Sequence, residues 1–357
     1  MKIIQMLATP YDFGGGCWFY RYQMPGEALM KRGHEIKQLV MSSKIDKEFM
    51  EFPDVVVFRG TYGVDPTHLI KELKKGDIKI VYDVDDDYLV LNSGNPFKKE
   101  SKKVREQYIY LCKEADLITV TTDVLKKRLQ KYNKNVKVIP NALSFQRFKD
   151  RKRGNKKLRI GYTGAASHWE DISLIIEPIK ALQEKYGFDF FLQGMCATPL
   201  IGEIYNYEYI EKNNLEPEKR DYYMSAIKMY EKFREIKYIH FPFYPPVLYP
   251  GILANMNLDI GICPLKDNEF NQAKSSIKFY EYASTGTPTL ASKVLPYSKE
   301  VGYFAKNNVK DWYNKLEKLI VDEKFRDKLL DKQQDFVRKN ADMEKVVKVW
   351  EKSFQEL

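Results

Sequence analysis

Short apolar runs and longer amphipathic stretches alternate along the first 145 residues. Lys2–Ala8 has the length and apolar character of a strand buried on both faces. Similar runs recur at Ile36–Met41, Asp54–Phe58, Ile78–Tyr82, Leu117–Thr121 and Val136–Pro140. Between them, apolar positions return at helical spacing over 17–32, 66–75, 98–114 and 123–132. Pro25 must bend or restart the first of these helices, because it has no N–H to give. Gly33 is a natural stop for it. Residues 149–157 read Lys-Asp-Arg-Lys-Arg-Gly-Asn-Lys-Lys, without one apolar side chain, and predict a solvated hinge. The pattern then restarts, with strands at Leu158–Tyr162 and Phe188–Gln193 and a helix over Asp171–Lys185. A long polar helical region fills 200–236, and strands return at Tyr238–Phe241, Ile260–Pro264 and Pro288–Ala291. A helix is expected over 275–285, and 308–357 is helical and charged. Alternating β and α predicts an α/β protein of two doubly wound, Rossmann-like domains, 1–148 and 158–339, facing across a cleft. Residues 196–237 are a helical, Tyr-rich insertion in the second domain.

Composition narrows the function classes. The chain has 357 residues, enough for two domains, and 44% hydrophobic residues exclude a disordered chain. A formal charge of +10 raises the question of a polyanionic partner: nucleic acid, an anionic membrane face or a phosphate-rich ligand. Cys17, Cys112, Cys196 and Cys263 are too far apart in sequence to form a zinc or disulfide framework. The first apolar run is too short for a signal peptide, and no stretch reaches the ~18 apolar residues of a membrane span. A cytoplasmic protein, soluble or peripheral to a membrane, is expected.

Four segments carry candidate chemistry. Gly14-Gly15-Gly16 follows the first strand and opens a helix, where backbone can approach a phosphate closely. No G-x-G-x-x-G and no P-loop is present, which argues against an NAD-dependent oxidoreductase. Tyr82-Asp83-Val84-Asp85-Asp86-Asp87 ends a buried strand in clustered carboxylates. Alternation puts Asp83 and Asp85 on one face, and like charges so close are expected to raise one another's pKa. Gly161-Tyr162-Thr163-Gly164-Ala165-Ala166-Ser167-His168 offers a second small-residue loop, with His168 usually structural in such a place. The densest segment runs from Asn271 to Pro288. Ser275 is a plausible N-cap, so the Ser275 and Ser276 N–H groups would open a helix flanked by Lys274 and Lys278, an anion site strong enough for a pyrophosphate.

With these residues in view, the chain resembles the large "group 1" glycosyltransferases of the GT-B fold. Leu29-Met30-Lys31-Arg32-Gly33-His34-Glu35-Ile36 resembles that family's helix-to-strand passage, and Ala115–Thr122 its alanine-aspartate strand. Val138-Ile139-Pro140-Asn141-Ala142-Leu143 through Phe148 resembles the crossing into its linker. Glu281-Tyr-Ala-Ser-Thr-Gly286-Thr-Pro288 resembles its Glu-Ala-x-Ala-x-Gly-x-Pro helix. The four lie in the family's order. The resemblance implies a hexosyltransferase that moves sugar from a nucleoside diphosphate, with retention, requiring neither cofactor nor metal. It places Gly15, Gly16, Thr163 and Gly164 beside the donor and Glu281 on the donor ribose. The base would lie near Phe243 and Tyr244, where prolines interrupt the strand, and the helix at about 340–357 would pack back on the first domain. The sequence also departs from the family. Ala273 stands where the first glutamate of Glu-x7-Glu belongs, and Ala165–Trp169 lacks the usual basic pair. Lys274 and Lys278 can supply the displaced charge. The family's histidine after the fourth strand is absent, and Asp85-Asp86-Asp87 occupies its region.

The expected catalytic set is therefore Asp85, Asp86, Lys274 and Lys278. The expected acceptor is a glycan or glycolipid hydroxyl, with a basic face near anionic lipid. DNA is the narrower alternative, suggested by the 98–105 basic run. An inactive GT-B scaffold is the other, suggested by Ala273.

Overall fold

Six strands form the first sheet: β1 (Lys2–Leu7), β2 (Glu35–Val40), β3 (Val55–Arg59), β4 (Lys79–Val84), β5 (Leu117–Val120) and β6 (Val136–Val138). They pair in parallel in the order β2-β1-β3-β4-β5-β6. The second sheet holds β7 (Arg159–Thr163), β8 (Asp189–Gln193), β9 (Ile239–Phe241), β10 (Ile260–Cys263), β11 (Thr289–Ser292) and β12 (Phe304–Ala305). Its order, β12-β11-β10-β7-β8-β9, is that of a dinucleotide-binding fold, with the switch point between β7 and β10. This computed structural model describes residues 1–8, 15–41, 47–60, 65–91, 101–152, 154–165, 168–194, 207–214 and 217–357. Gly14, Ala166, Ser167, the start of the 98–105 basic run and part of the 196–237 insertion lie outside the described residues.

Each predicted strand is present, shifted at its ends by a residue or two. The central strands are buried on both faces, which is why they read as continuous apolar runs. The first helix restarts at Pro25, as expected, without leaving the helical path. It runs as Gly16–Trp18, a π-helical turn at Phe19–Gln23, and Met24–Met30. The Met24 N–H reaches back five residues to Phe19 O, and the wider turn takes up the clash that proline makes with the preceding turn. The helix Tyr249–Met256 was not expected in a segment with four prolines nearby. Proline sits at its first turn, where no N–H is needed, and it stops on Asn257 in the left-handed region (φ 53°).

The expected solvated hinge is instead strapped to the second domain. Arg151 donates to Gly286 O (3.0 Å) and Asp259 (2.8 Å), and Asn155 also donates to Asp259 (2.8 Å). Past β12 the chain returns to the first domain. Leu143 and Met343 exchange backbone hydrogen bonds with Ala341 and Leu143 (2.8 and 3.0 Å), and Glu351 of the helix Met343–Gln355 accepts from Arg32 (2.9 Å). One apolar cluster consequently spans the join, from Phe19 and Leu143 to Phe279, Val337 and Trp350. No helix among the described residues is long and apolar enough to cross a membrane.

Candidate active site in the interdomain cleft

Parallel sheets place their loops at the carboxyl edge, and here both edges face one cavity of about 280 Å³. The first domain contributes Gly16, Cys17, Tyr20, Asp85, Asp86 and Asn141. The second contributes Thr163, Gly164 and His168 after β7, Gln193 and Gly194 after β8, and Phe243, Tyr244 and Tyr249 after β9. Lys274, Ser275, Lys278 and Glu281 come from the start of the helix Ile277–Ser284 and the turn before it. Of the expected site residues, Gly15 and Ser276 do not line the cavity. Gly15 caps the first helix from below, accepting from the Phe19 N–H (3.1 Å), and Ser276 is buried behind the wall. The helix begins one residue later than expected, with Ser276 and not Ser275 as its N-cap. Ser275 instead accepts from the Asn141 amide across the cleft (2.8 Å).

Each aspartate of the run has its own cation, and the Asp85 carboxyl is not raised by its neighbours as expected. Asp83 pairs with Arg21 (2.6 Å), Asp85 with Arg59 (3.5 Å), Asp86 with Lys274 (2.9 Å), and Asp87 with Arg128. Burial by itself would raise the Asp85 carboxyl. Arg59, a hydrogen bond from Cys17, and the more distant Arg21 and Lys274 together hold it below the usual carboxylate range. Asp85 is therefore ionised at neutral pH. Burial, reinforced by Asp85, pushes the Cys17 thiol well above its ordinary value, so Cys17 stays a donor to that carboxylate. Asp87 points away from the cavity, fully buried under Arg128.

The two lysines differ. Burial would lower the Lys274 amine, but Asp86 outweighs it and the amine is raised. Lys278 has no carboxylate within ion-pair distance among the described residues. Its Nζ donates to the Tyr162 hydroxyl (2.9 Å) and lies over the Tyr162 ring (4.3 Å), and burial lowers its pKa. A half-buried cation held only by a neutral ring and hydroxyl is a site that favours an anion.

Glu281 is buried between two tyrosines. Tyr20, from the first domain, donates to one carboxylate oxygen. The Tyr249 hydroxyl lies 3.1 Å from the other and 2.8 Å from the Thr163 hydroxyl. Burial raises the Glu281 carboxyl to about 7, against the opposing pull of the two tyrosines and Lys278. A carboxyl whose folded pKa lies above its unfolded one contributes stability below pH ~4.5 that is lost as pH rises through about 7. Thermal melts should therefore show the wild type losing stability relative to Glu281→Gln between pH 5 and pH 8. Parallel curves would remove this account of Glu281.

Two loops are shaped to bring backbone to the cavity. Gly194 has φ 77°, and a Cβ there would sit 2.7 Å from Gly164 O. The loops after β7 and β8 thus pack backbone to backbone, and Gly164 N–H donates to Gln193 O (3.0 Å). Near the expected base site, Phe243 is 55% exposed and lines the cavity, while Gln193 ties down Pro242 O (3.2 Å). That carbonyl is therefore not free, as the proline pattern suggested. Ala273 is buried, its carbonyl accepting from Thr122 (2.9 Å), so this position forms part of the domain contact. Sequence reasoning missed Cys17, Tyr20, Asn141, Gln193 and Tyr249. Only Asn141 carried a signal, within the Ile-Pro-Asn segment.

No protein-family model and no curated protein sequence matches the chain. Solved structures do. Anabaena Alr3699/HepE, solved with UDP and glucose, superposes with a TM-score of 0.65 at 11% identity over 100% of both chains. A glycosyltransferase from Rickettsia africae gives 0.64 at 12% identity, over 99% of this chain and 97% of that one. An alpha-glucosyltransferase, solved with UDP-glucose and DNA containing an abasic site, gives 0.64 at 12% identity, over 99% and 98%. At such identities the likeness is one of fold. The chain is thus built, end to end, on the GT-B fold that these nucleotide-sugar glycosyltransferases share.

Proposed function

We propose that this protein transfers a sugar from a nucleoside diphosphate donor to an acceptor hydroxyl. The observation that carries the proposal is the pairing of charges across the cavity. Lys274 and Lys278 stand at the start of the helix Ile277–Ser284 on one wall, and the ionised Asp85 stands on the other. As the bond between the anomeric carbon and the diphosphate breaks, negative charge grows on the phosphate and positive charge on the sugar. The lysines and the helix N–H groups oppose the first, so no cofactor is required for that task. Asp85 opposes the second, and it can accept a hydrogen bond from the acceptor hydroxyl.

Arg59 and Cys17 keep Asp85 a weak base. The acceptor's proton is then better taken by the leaving phosphate on the same face of the sugar, which gives retention of configuration. Asp86 occupies Lys274 where a phosphate would bind, so donor entry frees this carboxylate toward the acceptor side. Glu281, with Tyr20 and Tyr249 displaced, can accept from the ribose hydroxyls. Phe243 offers a face for the base.

Thermal-shift screening against UDP, GDP and ADP and their sugars tests the reading, because a ligand that binds only the folded state raises the melting temperature. A shift with one base series and release of the free diphosphate on adding acceptor is expected. Binding without turnover would leave a scaffold, and no shift with any of them would remove the reading.

The acceptor is proposed to be a glycan or glycolipid. DNA is the second reading, supported by the DNA-bound relative in fold and by the exposed Lys102, Lys103, Arg105, Lys127, Lys131 and Lys134 on the first domain. A duplex titration whose affinity falls steeply with salt, with no binding to anionic vesicles, would favour DNA.

A further inference from the structure

His168 lines the same cavity and has no part in the chemistry above. Its Nδ1 lies 2.8 Å from Asp171 Oδ2. Asp171 is itself fixed, since its other oxygen accepts from the Lys266 N–H (2.7 Å) and the Asn271 amide (3.0 Å). Burial would raise the Asp171 carboxyl, but His168 and the Lys266 N–H outweigh it and hold it below its ordinary value. An ionised carboxylate only accepts, so Nδ1 carries the hydrogen and Nε2 is the bare nitrogen of the neutral ring. No described residue is hydrogen-bonded to Nε2. The loop from Gly161 to Trp169 holds no lysine or arginine, so His168 is its sole titratable cation.

We propose that His168 is a diphosphate-binding residue, which takes up a proton from solvent as the donor's diphosphate enters and then donates Nε2–H to a phosphoryl oxygen. The proposal rests on the donor-site reading. The groups that face His168 explain why the proton waits for the ligand. Burial, then Lys278 and Lys274 of the same domain, favour the neutral ring, and Asp171 on its own turn favours the charged one. The neighbouring Lys266 and Glu170 form a pair (3.5 Å) whose charges offset each other. The neutral side prevails, and the pKa of His168 is lowered. A diphosphate between His168 and the lysines reverses that balance, because its negative charge outweighs theirs.

Lys278 is the rival source of any proton taken up, since its pKa is also lowered by burial. Calorimetry of UDP, GDP and ADP binding, in buffers of different ionisation heat between pH 6 and pH 8, separates the two. Uptake of up to about one proton is expected in the wild type. His168→Gln should lose that uptake and bind about tenfold more weakly at pH 6, with a smaller loss at pH 8, the deficit of one charge-assisted hydrogen bond. Comparison with the variant cancels the ligand's own titration. Nitrogen-15 spectra of the unmodified protein need no variant: one of the four histidines should pass from a neutral ring to imidazolium when nucleotide is added. Proton uptake retained in His168→Gln, or four unchanged histidine rings in the presence of bound nucleotide, would overturn the proposal and leave the donor site standing. Failure of every nucleotide to bind would overturn both.

Discussion

Lys278→Ala is expected to lower kcat/KM for sugar transfer by about 100- to 1000-fold, the usual cost of one preorganised group facing the charge of a transition state. The same change should not lower the melting temperature. Lys278 is a half-buried ammonium whose partners are a tyrosine hydroxyl and ring, and the fold bears part of the cost of its desolvation. Removing the charge relieves that cost, while the loss of the alkyl stem's packing opposes the relief. Activity and stability should thus part company at this residue, as expected where a fold tolerates a strained group for its chemistry. Lys274→Ala has a different signature, because it leaves Asp86 without its cation. Steady-state kinetics beside a thermal melt of each variant reads both. Unchanged kcat/KM in Lys278→Ala would remove this lysine from the mechanism.

The largest stability effect is expected away from the cavity, at Asp83→Ala, with a loss of about 3–5 kcal/mol. Asp83 and Arg21 form a bidentate pair (2.9 and 2.6 Å) in which both side chains are almost wholly buried. Thr119 donates to the same carboxylate (2.6 Å), and Arg21 also donates to Ile139 O (2.7 Å) and Asn141 (3.2 Å). The guanidinium stacks on Trp350 of the returning helix, 4.8 Å from the ring centre. Removing the carboxylate leaves an arginine with no route to water, whereas a well-packed Arg21→Met/Asp83→Leu double variant should recover much of the loss. Urea unfolding of the single and double variants measures it. A loss below about 1 kcal/mol in Asp83→Ala would mean that water reaches Arg21. The cluster also fixes Asn141, whose amide reaches Ser275 across the cleft, so this pair sets the spacing of the cleft walls.

Much of the architecture was legible in the sequence. Strands buried on both faces must be apolar throughout, and the helices between them must carry one apolar stripe, so the two periods mark the elements without an alignment. Pro25 lies in the first turn of the α segment that restarts at Met24, as expected, whereas the helix that Pro250 opens was not foreseen. The linker misled for another reason: Asp259, more than one hundred residues away, collects Arg151 and Asn155, and charge alone does not reveal a partner so distant.

The sequence by itself determined that the chain folds as two αβ halves, and that lysines at a helix start and carboxylates at a strand end stand at sheet edges. Those facts follow from local periodicity and the turn chemistry around glycine. Only the tertiary structure decided what those charges are. It gave each aspartate of the run a different cation, so that Asp83 became a structural pin, Asp87 a buried anchor, Asp86 the partner of Lys274, and Asp85 an ionised wall of the cavity. It also left Lys278 without a carboxylate partner among the described residues and set His168 on Asp171. Such roles depend on partners brought together by long-range packing, and on a burial that turns modest charges into strong ones.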